Sequence, residues 1–330
     1  MPSPGMSTAA TAKRGLYGGF VADPFDARTI TLIRGGPTPE IMDLSVPTVD
    51  YSDYTNRQLI TIPLGLLAAS LVILAVATVV TGTPVELGME FTGGAEIQIQ
   101  TDDSPEQIES AFDEPVEGVT QVGSPTSNTY IVEFQSENYE DLDDLVTQAE
   151  DAGYDVQQQG ERSASFASDS QSQAVLGLAI AFAGMAALVF LMFRTFVPSI
   201  AVVASAFSDI MIPLALMRLF NIELTLGTVA ALLMLIGYSV DSDLLLNNHI
   251  LRRHGDFYTS TFRAMRTGVT MTVTSIAAMI VMTAVASLFG IPLLPEVGLV
   301  LTFGLLADLM NTYLLNVSLL RYYKYEAIAK

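Results

Sequence analysis

Residues 224–254, LTLGTVAALLMLIGYSVDSDLLLNNHILRRH, combine an apolar run long enough to cross a membrane with two acids in its second half, Asp241 and Asp243. A charge near the bilayer centre costs about 2.5 kcal/mol or more on insertion scales, so acids there usually face a protein interior, a partner or a proton path. The stretch therefore predicts a membrane-spanning helix that carries a functional polar site.

The composition is typical of a membrane protein with several spans. Half of the 330 residues are hydrophobic and 15% are charged, and the mean hydropathy is +0.44, which suits such a protein better than a soluble enzyme. The chain has no Cys and two His, His249 and His254, so disulfides, thiol catalysis and a zinc site are not expected. No motif for nucleotide hydrolysis or hydrolase chemistry is present. We expect neither a catalytic centre nor a cofactor nor a metal site.

The charge is distributed unevenly along the chain. The formal net charge is −20, and 21 of the 35 acids lie within residues 86–169. An aqueous domain with such a surface would repel nucleic acid and anionic lipid surfaces, so we expect no nucleic-acid partner. The acidic surface also resembles that of proteins that work in molar salt, which indicates a halophilic source.

Six apolar runs exceed the roughly 17 residues that a membrane-spanning helix needs. The predicted spans are 57–81, 173–193, 197–219, 225–248, 268–289 and 297–319. A mobile cytoplasmic tail is expected at 1–56, of which 1–41 is predicted to be an extension ahead of the natural start, and a second cytoplasmic tail at 321–330.

The orientation follows from the basic residues. With the N-terminus inside, all Lys and Arg from Arg57 onward except Arg162 and Arg218 lie on the cytoplasmic side, which obeys the positive-inside rule. Residues 82–171 are then extracellular.

The predicted extracellular region reads as a small α+β domain. Alternation of apolar and polar residues, with Ser104 before Pro105 as a helix start, gives the order βαββαβ. This order predicts a ferredoxin-like fold. The predicted strands are 95–101, 118–124, 128–136 and 154–160, and the predicted helices are 104–112 and 138–152.

Polar residues lie inside three of the predicted spans. Asp209 is near the middle of the third span and Asp308 near the middle of the sixth, with no Lys or Arg at comparable depth. Such acids point either to protons or to a base from another chain. The amides Asn247, Asn248, Asn311 and Asn316 are predicted to form hydrogen bonds between helices.

Asp241 and Asp243 cannot share a face of the fourth span, because two helical positions are about 200° apart. Gly237, Asp241 and Asn248 form one polar line, and Ser239, Asp243 and Asn247 form another. One line is expected to face this chain and the other a second protein.

Two segments carry a resemblance to the SecD/SecF family. Residues 88–100, GMEFTGGAEIQIQ, resemble the signature that opens the exported domain of that family, and residues 235–250, LIGYSVDSDLLLNNHI, resemble the fourth-helix motif of its SecF branch. Within 59–320 the order of spans and domain is also similar to archaeal members. The motif residues are Gly88, Phe91, Thr92, Gly93 and Gly94 in the first segment and Gly237, Tyr238 and Ser239 in the second. A tight turn is expected at Gly93 and Gly94.

The resemblance implies a six-helix half of a transporter of the RND superfamily that works beside a SecD-like membrane protein. Together they would help the Sec channel to export unfolded polypeptides, coupled to the proton gradient. Asp209 matches the third-span aspartate of bacterial relatives. In the fourth span this chain has Asp241-Ser242-Asp243 and Asn247-Asn248-His249 where those relatives have N-D-T and F-D-R. The acid–base pair at the membrane end is therefore missing.

Three hypotheses remain open from the sequence. In the first, Asp209, Asp241 and Asp308 bind and release protons at the interface with SecD, and this moves the exported domain. The second is a self-contained RND-type exporter of small molecules that works as a homo-oligomer. The third is a structural scaffold of the translocon with permanently hydrogen-bonded acids.

Overall fold

The computed structural model describes residues 54–123, 127–135, 139, 141–252 and 257–327. The predicted extension 1–41, nearly all of the predicted tail 1–56, and His254 lie outside these residues.

Six helices of the described part are long and apolar enough to cross a membrane, which confirms the predicted number of spans. α1 (Asn56–Thr81) comes first and is separated from the others by the sheet domain. The others are α5 (Ala164–Phe193), α6 (Phe196–Leu219), α7 (Leu226–Arg252), α8 (Phe257–Leu288) and a last helix that runs over Leu294–Tyr325.

Two of these helices begin well before the apolar runs that predicted them. α5 starts at Ala164 rather than 173, and α8 starts at Phe257 rather than 268. An apolar window finds the part of a helix that suits lipid, whereas the backbone hydrogen bonds of the helix continue into polar sequence. The last residues of the predicted aqueous region 82–171 are therefore helical.

The last helix changes its winding in the middle. α9 (Leu294–Met310) passes into a π-helical turn at Asn311–Asn316, continues as α10 (Val317–Tyr322) and ends in a second π-helical turn at Tyr323–Ala327. π-helical turns are rare and frequently occur at functional sites.

A four-stranded antiparallel sheet lies between α1 and α5, as predicted. Its strands are β1 (Gly94–Gln100), β2 (Gly118–Val122), β3 (Thr129–Gln135) and β4 (Asp155–Arg162), in the spatial order β2-β3-β1-β4. α3 (Pro105–Glu109) and α4 (Leu142–Asp151) complete the order βαββαβ. α3 is shorter than the predicted 104–112, and α4 begins later than the predicted 138, although 138 and 140 are outside the described residues. The ferredoxin-like order of elements is confirmed.

Alternation along β1 explains the domain core. Ala95, Ile97 and Ile99 are fully buried and pack with Ile108 of α3 and Leu145 of α4. The intervening residues of β1 are polar and face the other side of the sheet.

The predicted turn before β1 contains an additional short helix, α2 (Met89–Thr92), which packs against α5. Gly93 and Gly94 follow it with φ of 77° and 154°. A β-carbon at Gly94 would lie 2.1 Å from the carbonyl oxygen of Phe134 on the paired strand β3. Only glycine fits there without moving the backbone.

The membrane helices fall into two groups that differ in how much of their surface is buried. α6, α7 and the last helix make up the centre of the bundle, and α1, α5 and α8 keep most of their surface exposed. α7 contacts α5, α6, α8 and α9. Acids on the inner face of α7 are therefore brought towards α6 and the last helix.

Candidate functional site

Three carboxyl groups from three helices lie in the bundle core. Asp209 of α6, Asp243 of α7 and Asp308 of α9 are 1%, 0% and 1% exposed. Thr312 links Asp243 with Asp308, and Asp209 interacts electrostatically with both. We call these three residues the carboxyl cluster.

Asp209 accepts two short hydrogen bonds. Ser239 Oγ donates to Asp209 Oδ2 at 2.6 Å, and Asn311 Nδ2 donates to Asp209 Oδ1 at 2.6 Å. Pro213 lies four residues further along α6 and has no N–H to donate to the Asp209 carbonyl. A backbone acceptor is thus released next to the buried side chain.

Thr312 joins the other two carboxyl groups. Its Oγ1 donates to Asp243 Oδ1 at 2.8 Å and lies 3.3 Å from Asp308 Oδ1. Asn316 Nδ2 donates to Asp243 Oδ1 at 2.8 Å, and Ser242 Oγ donates to Asp308 Oδ1 at 2.7 Å. Each carboxyl group is therefore held by donors from a neighbouring helix.

The π-helical turn supplies three of these donors. Asn311, Thr312 and Asn316 all lie within Asn311–Asn316 and are fully buried. A regular α-helix would place Asn311 and Thr312 about 100° apart, with Asn316 one turn beyond Thr312. Within this turn Asn311 bonds Asp209, and Thr312 and Asn316 bond Asp243.

No base contacts the carboxyl cluster in the described part of the chain. The salt bridge among the described residues joins Arg218, near the end of α6, to Glu86 in the segment between α1 and α2 at 2.7 Å. The described residues also contain no group of three His, Cys, Asp or Glu arranged to hold a metal ion.

The second carboxyl oxygens of Asp243 and Asp308 accept no hydrogen bond from the described residues. Three ionised carboxylates so close together would be very unfavourable, because burial and mutual repulsion both oppose their charge.

The structure separates Asp241 from this cluster. Asp241 is exposed on the outer surface of α7. The acid of α7 that lies with Asp209 and Asp308 is Asp243, not Asp241 as in the first hypothesis. The physical reason is the rotation of α7, which turns Ser239, Asp243 and Asn247 inward and leaves Gly237 and Asp241 outward. The two polar lines predicted on α7 thus face opposite sides.

The remaining predicted amides and motif residues have varied surroundings. Asn247 is fully buried, and neither amide atom has a hydrogen-bond partner among the described residues. Asn248, which belongs to the line with Gly237 and Asp241, is half-buried. Tyr238 Oη donates to Thr272 Oγ1 of α8 at 3.2 Å, so this motif residue ties α7 to α8.

The motif residues near β1 are distant in sequence from the carboxyl cluster, and they form the start of the sheet domain. Gly88 N donates to Leu224 O at 3.0 Å, and Phe91 is buried. Thr92 Oγ1 bonds back to the Gly88 carbonyl at 3.4 Å. These residues fasten the start of the domain to the loop between α6 and α7.

Sequence reasoning missed Ser242 and Thr312. A signal for Thr312 existed, because Asp308, Thr312 and Asn316 recur every four residues and so share one face of an ideal helix. Ser242 offered no such signal, because it belongs to neither of the two polar lines predicted on α7.

The six spans, the four-stranded domain between the first and second, and the buried acids define a membrane protein of the SecD/SecF class. The family described as protein export membrane protein SecD/SecF, C-terminal, matches residues 145–326. The protein-export membrane protein SecF of Haloferax volcanii is 60% identical over 88% of this chain and 100% of its own length. That of Haloquadratum walsbyi is 60% identical over 87% of this chain and 99% of its own. The chain belongs to the SecF family of protein-export membrane proteins.

Solved structures show the same fold. The translocon-associated membrane protein SecDF from Thermus thermophilus aligns with a TM-score of 0.65 and 18% identity. The alignment covers 86% of this chain and 40% of that one, so this chain spans well under half of the SecDF polypeptide. SecDF in a super-membrane-facing form aligns with a TM-score of 0.56 over 91% of this chain. The halophilic relatives agree with the acid-rich composition.

Proposed function

We propose that this protein is an accessory subunit of the Sec export machinery that pairs with a SecD-like chain and couples proton movement to polypeptide export. The observation that carries the proposal is the carboxyl cluster, in which Asp209, Asp243 and Asp308 are buried together without a base among the described residues. Protons are the simplest neutralising charge for such a group.

Proton exchange at the cluster has a direct structural consequence. Thr312 and Ser242 donate hydrogen bonds to carboxyl oxygens of Asp243 and Asp308. A carboxyl group that is protonated on one oxygen becomes a donor there and a weaker acceptor at the other, so a proton weakens these bonds and adds a donor to the cluster. Because the donors lie on α7 and in the π-helical turn, protonation changes which contacts hold α6, α7 and the last helix together. We infer that this change in helix contacts causes the exported domain to move.

The outward-facing polar line of α7, formed by Gly237, Asp241 and Asn248 and called the outer line, is the proposed surface for the SecD-like partner. Asp241 is exposed on a helix that otherwise suits lipid, and Gly237 beside it has no atom within 4 Å of where a β-carbon would stand. An acid facing lipid is costly, while small residues let a second helix approach closely. A partner helix with a base or a hydrogen-bond donor at that depth would satisfy Asp241.

The proposed orientation puts both termini in the cytoplasm and the acidic sheet domain outside the cell. The basic residues Arg252, Arg263 and Arg266 lie at one end of α7 and α8, while the sheet domain lies at the other. This arrangement follows the positive-inside rule. In that position the domain meets polypeptides that leave the Sec channel.

Export of a Sec-dependent reporter tests the proposal. Asp209→Asn and Asp243→Asn keep the side-chain shape but remove the exchangeable carboxyl proton, so each is expected to reduce export at least tenfold at normal protein levels. Asp169→Asn, an exposed acid in the polar first part of α5, is the matched control and is expected to export normally. Normal export by both cluster variants would leave a scaffold as the better explanation.

A further inference from the structure

A second group of acids lies at the junction between the sheet domain and the membrane bundle. Glu223, in the loop between α6 and α7, shares a water-sized cavity of about 30 Å³ with Glu117 and with Glu133 of β3. Thr92, Gln135 and Phe134 also line this cavity. Two of the three acids therefore belong to the domain and the third belongs to the bundle.

Backbone contacts hold the two sides of this junction together at two points. Leu224 N donates to Glu86 O at 2.7 Å, and Gly88 N donates to Leu224 O at 3.0 Å. At the other point Gly123 N donates to Gly290 O, in the loop between α8 and α9, at 2.9 Å. These few contacts contrast with the continuous apolar cores of the domain and of the bundle. The packing of α2 against α5 adds to these contacts, so a small set of contacts joins two well-packed bodies.

The charges around Glu223 are nearly all negative. A β-carbon on Gly88 would lie 3.2 Å from a carboxylate oxygen of Glu223 and equally close to one of Glu90. Of the bases near the junction, Arg218 at the end of α6 is already paired with Glu86 at 2.7 Å, and Arg162 is the last residue of β4, next to Gly93. The acids that act on Glu223 or Glu133 come from every neighbouring element: Glu86 and Glu90 before β1, Glu96 of β1, Glu117 before β2 and Glu296 of α9.

This crowding affects the protonation of the junction. Burial, followed by the carboxylate of Glu133, raises the pKa of Glu223 from 4.5 to about 7. Burial, followed by Glu96, also raises the pKa of Glu133. Both groups lie outside the membrane spans, Glu133 on β3 and Glu223 in the loop between α6 and α7.

We propose that Glu223 and Glu133 form a pH-sensitive latch, in which protonation keeps the sheet domain docked on the bundle and deprotonation releases it. Two carboxylates that face one water-sized cavity repel each other when both are ionised, and separating the bodies relieves that repulsion. The domain would therefore respond to external protons at its own attachment point. This latch is separate from the carboxyl cluster and does not require proton movement through the core.

The direction of the pH dependence follows from the raised pKa. A group whose pKa is higher in the docked state favours docking fully below its free pKa of 4.5. Docking weakens as the pH rises from there to about 7 and does not change further above that. For one proton, the docking equilibrium constant falls by up to about tenfold per pH unit within this window.

Distance measurements between two spin labels test the latch on the full chain. The chain has no native Cys, so Gln159→Cys on β4 and Leu219→Cys at the end of α6, both exposed, label only the chosen sites. The fraction at the short docked distance is expected to fall between pH 4.5 and 7 and to stay level above. With Glu223→Gln the fall is expected to be smaller, because Glu133 alone still titrates. With Glu133→Gln the midpoint is expected to move to lower pH, because the neighbouring carboxylate that raises the pKa of Glu223 is gone.

A matched control and two contradicting results complete the test. Glu109→Gln changes an exposed acid of the same domain away from the junction and is expected to titrate like the parent protein. A docked fraction that does not depend on pH in the parent would overturn the latch, as would an unchanged titration in Glu223→Gln. Neither result would bear on export by the carboxyl-cluster variants, so the latch and the proposed function fail separately.

Discussion

Asn311 and Asp209 are joined by a hydrogen bond of 2.6 Å between Asn311 Nδ2 and Asp209 Oδ1, although 102 residues separate them in the chain. The bond fixes the π-helical turn of the last helix against α6. Both residues are buried, so water cannot replace the donor if it is lost. The contact therefore links the position of the last helix to the protonation state of the Asp209 carboxyl group.

Replacing Asn311 tests this link. Asn311→Ala leaves Asp209 Oδ1 without its amide donor, and an unsatisfied buried acceptor costs about 1–3 kcal/mol. We expect the free energy of unfolding in detergent to fall by that amount. Gln171→Ala, an exposed amide on α5, is the control and should shift it by less than about 0.5 kcal/mol. Equal effects of the two substitutions would mean that the bond contributes nothing specific.

Thr312 donates a hydrogen bond to Asp243 and also lies 3.3 Å from Asp308. Its hydroxyl is expected to matter more than its shape. Thr312→Val keeps the volume but removes both contacts, so we predict weaker export together with a loss of about 1–3 kcal/mol of stability. Thr312→Ser should restore most of both. Thr270→Val is the comparison, because the Thr270 hydroxyl bonds only its own helix at an exposed site. Wild-type export by Thr312→Val would exclude a role for this hydroxyl.

Gly94 sets the close approach of β1 to β3. Alanine there would place a β-carbon 2.1 Å from the Phe134 carbonyl at a φ of 154°, and strain of this kind costs about 1–3 kcal/mol or more. We expect Gly94→Ala to make the sheet domain sensitive to limited proteolysis. At Gly118 of β2 the nearest atom would be 3.8 Å away, so Gly118→Ala should stay resistant. Similar digestion of both variants would show that the glycine of the motif is dispensable.

The outer line of α7 can be located by crosslinking, because the chain has no native Cys. Gly237→Cys should crosslink to a second membrane protein in native membranes, and the crosslinked band should weaken when Asp241→Asn is added. Val72→Cys, exposed on α1, is the control position and should remain uncrosslinked. A Gly237→Cys adduct with another copy of this chain would favour the self-contained exporter instead.

Local pattern was enough to predict much of the fold. Alternation around Ile97 and Ile99 and the Ser104-Pro105 helix start identify the sheet domain, because strand and helix periodicities are short-range properties. The six apolar runs identify the spans for the same reason. Helix ends such as Ala164 were not predictable, since a helix continues beyond the apolar part of its sequence.

The site was predictable only in part. Asp209 and Asp308 stand out because charges are rare inside apolar runs, and the two polar lines of α7 follow from helical geometry. Which line faces inward depends on how α7 packs against α6 and α9, and this favoured Asp243 over Asp241. The donors Asn311 and Thr312 reach their partners through a π-helical turn that the sequence gives no sign of. The approach of Glu223 to Glu133 likewise depends on tertiary structure.

The most direct measurement of the central claim is infrared difference spectroscopy of the protein with its co-purified partners in lipid vesicles, recorded as the pH is stepped. The carbonyl stretch of a protonated carboxyl group is distinct from that of a carboxylate, so proton exchange at the cluster is visible. We predict a pH-dependent band that is lost or altered in Asp209→Asn, Asp243→Asn and Asp308→Asn and is retained in Asp169→Asn. A spectrum whose pH dependence is the same in all four variants would contradict proton exchange at these carboxyl groups.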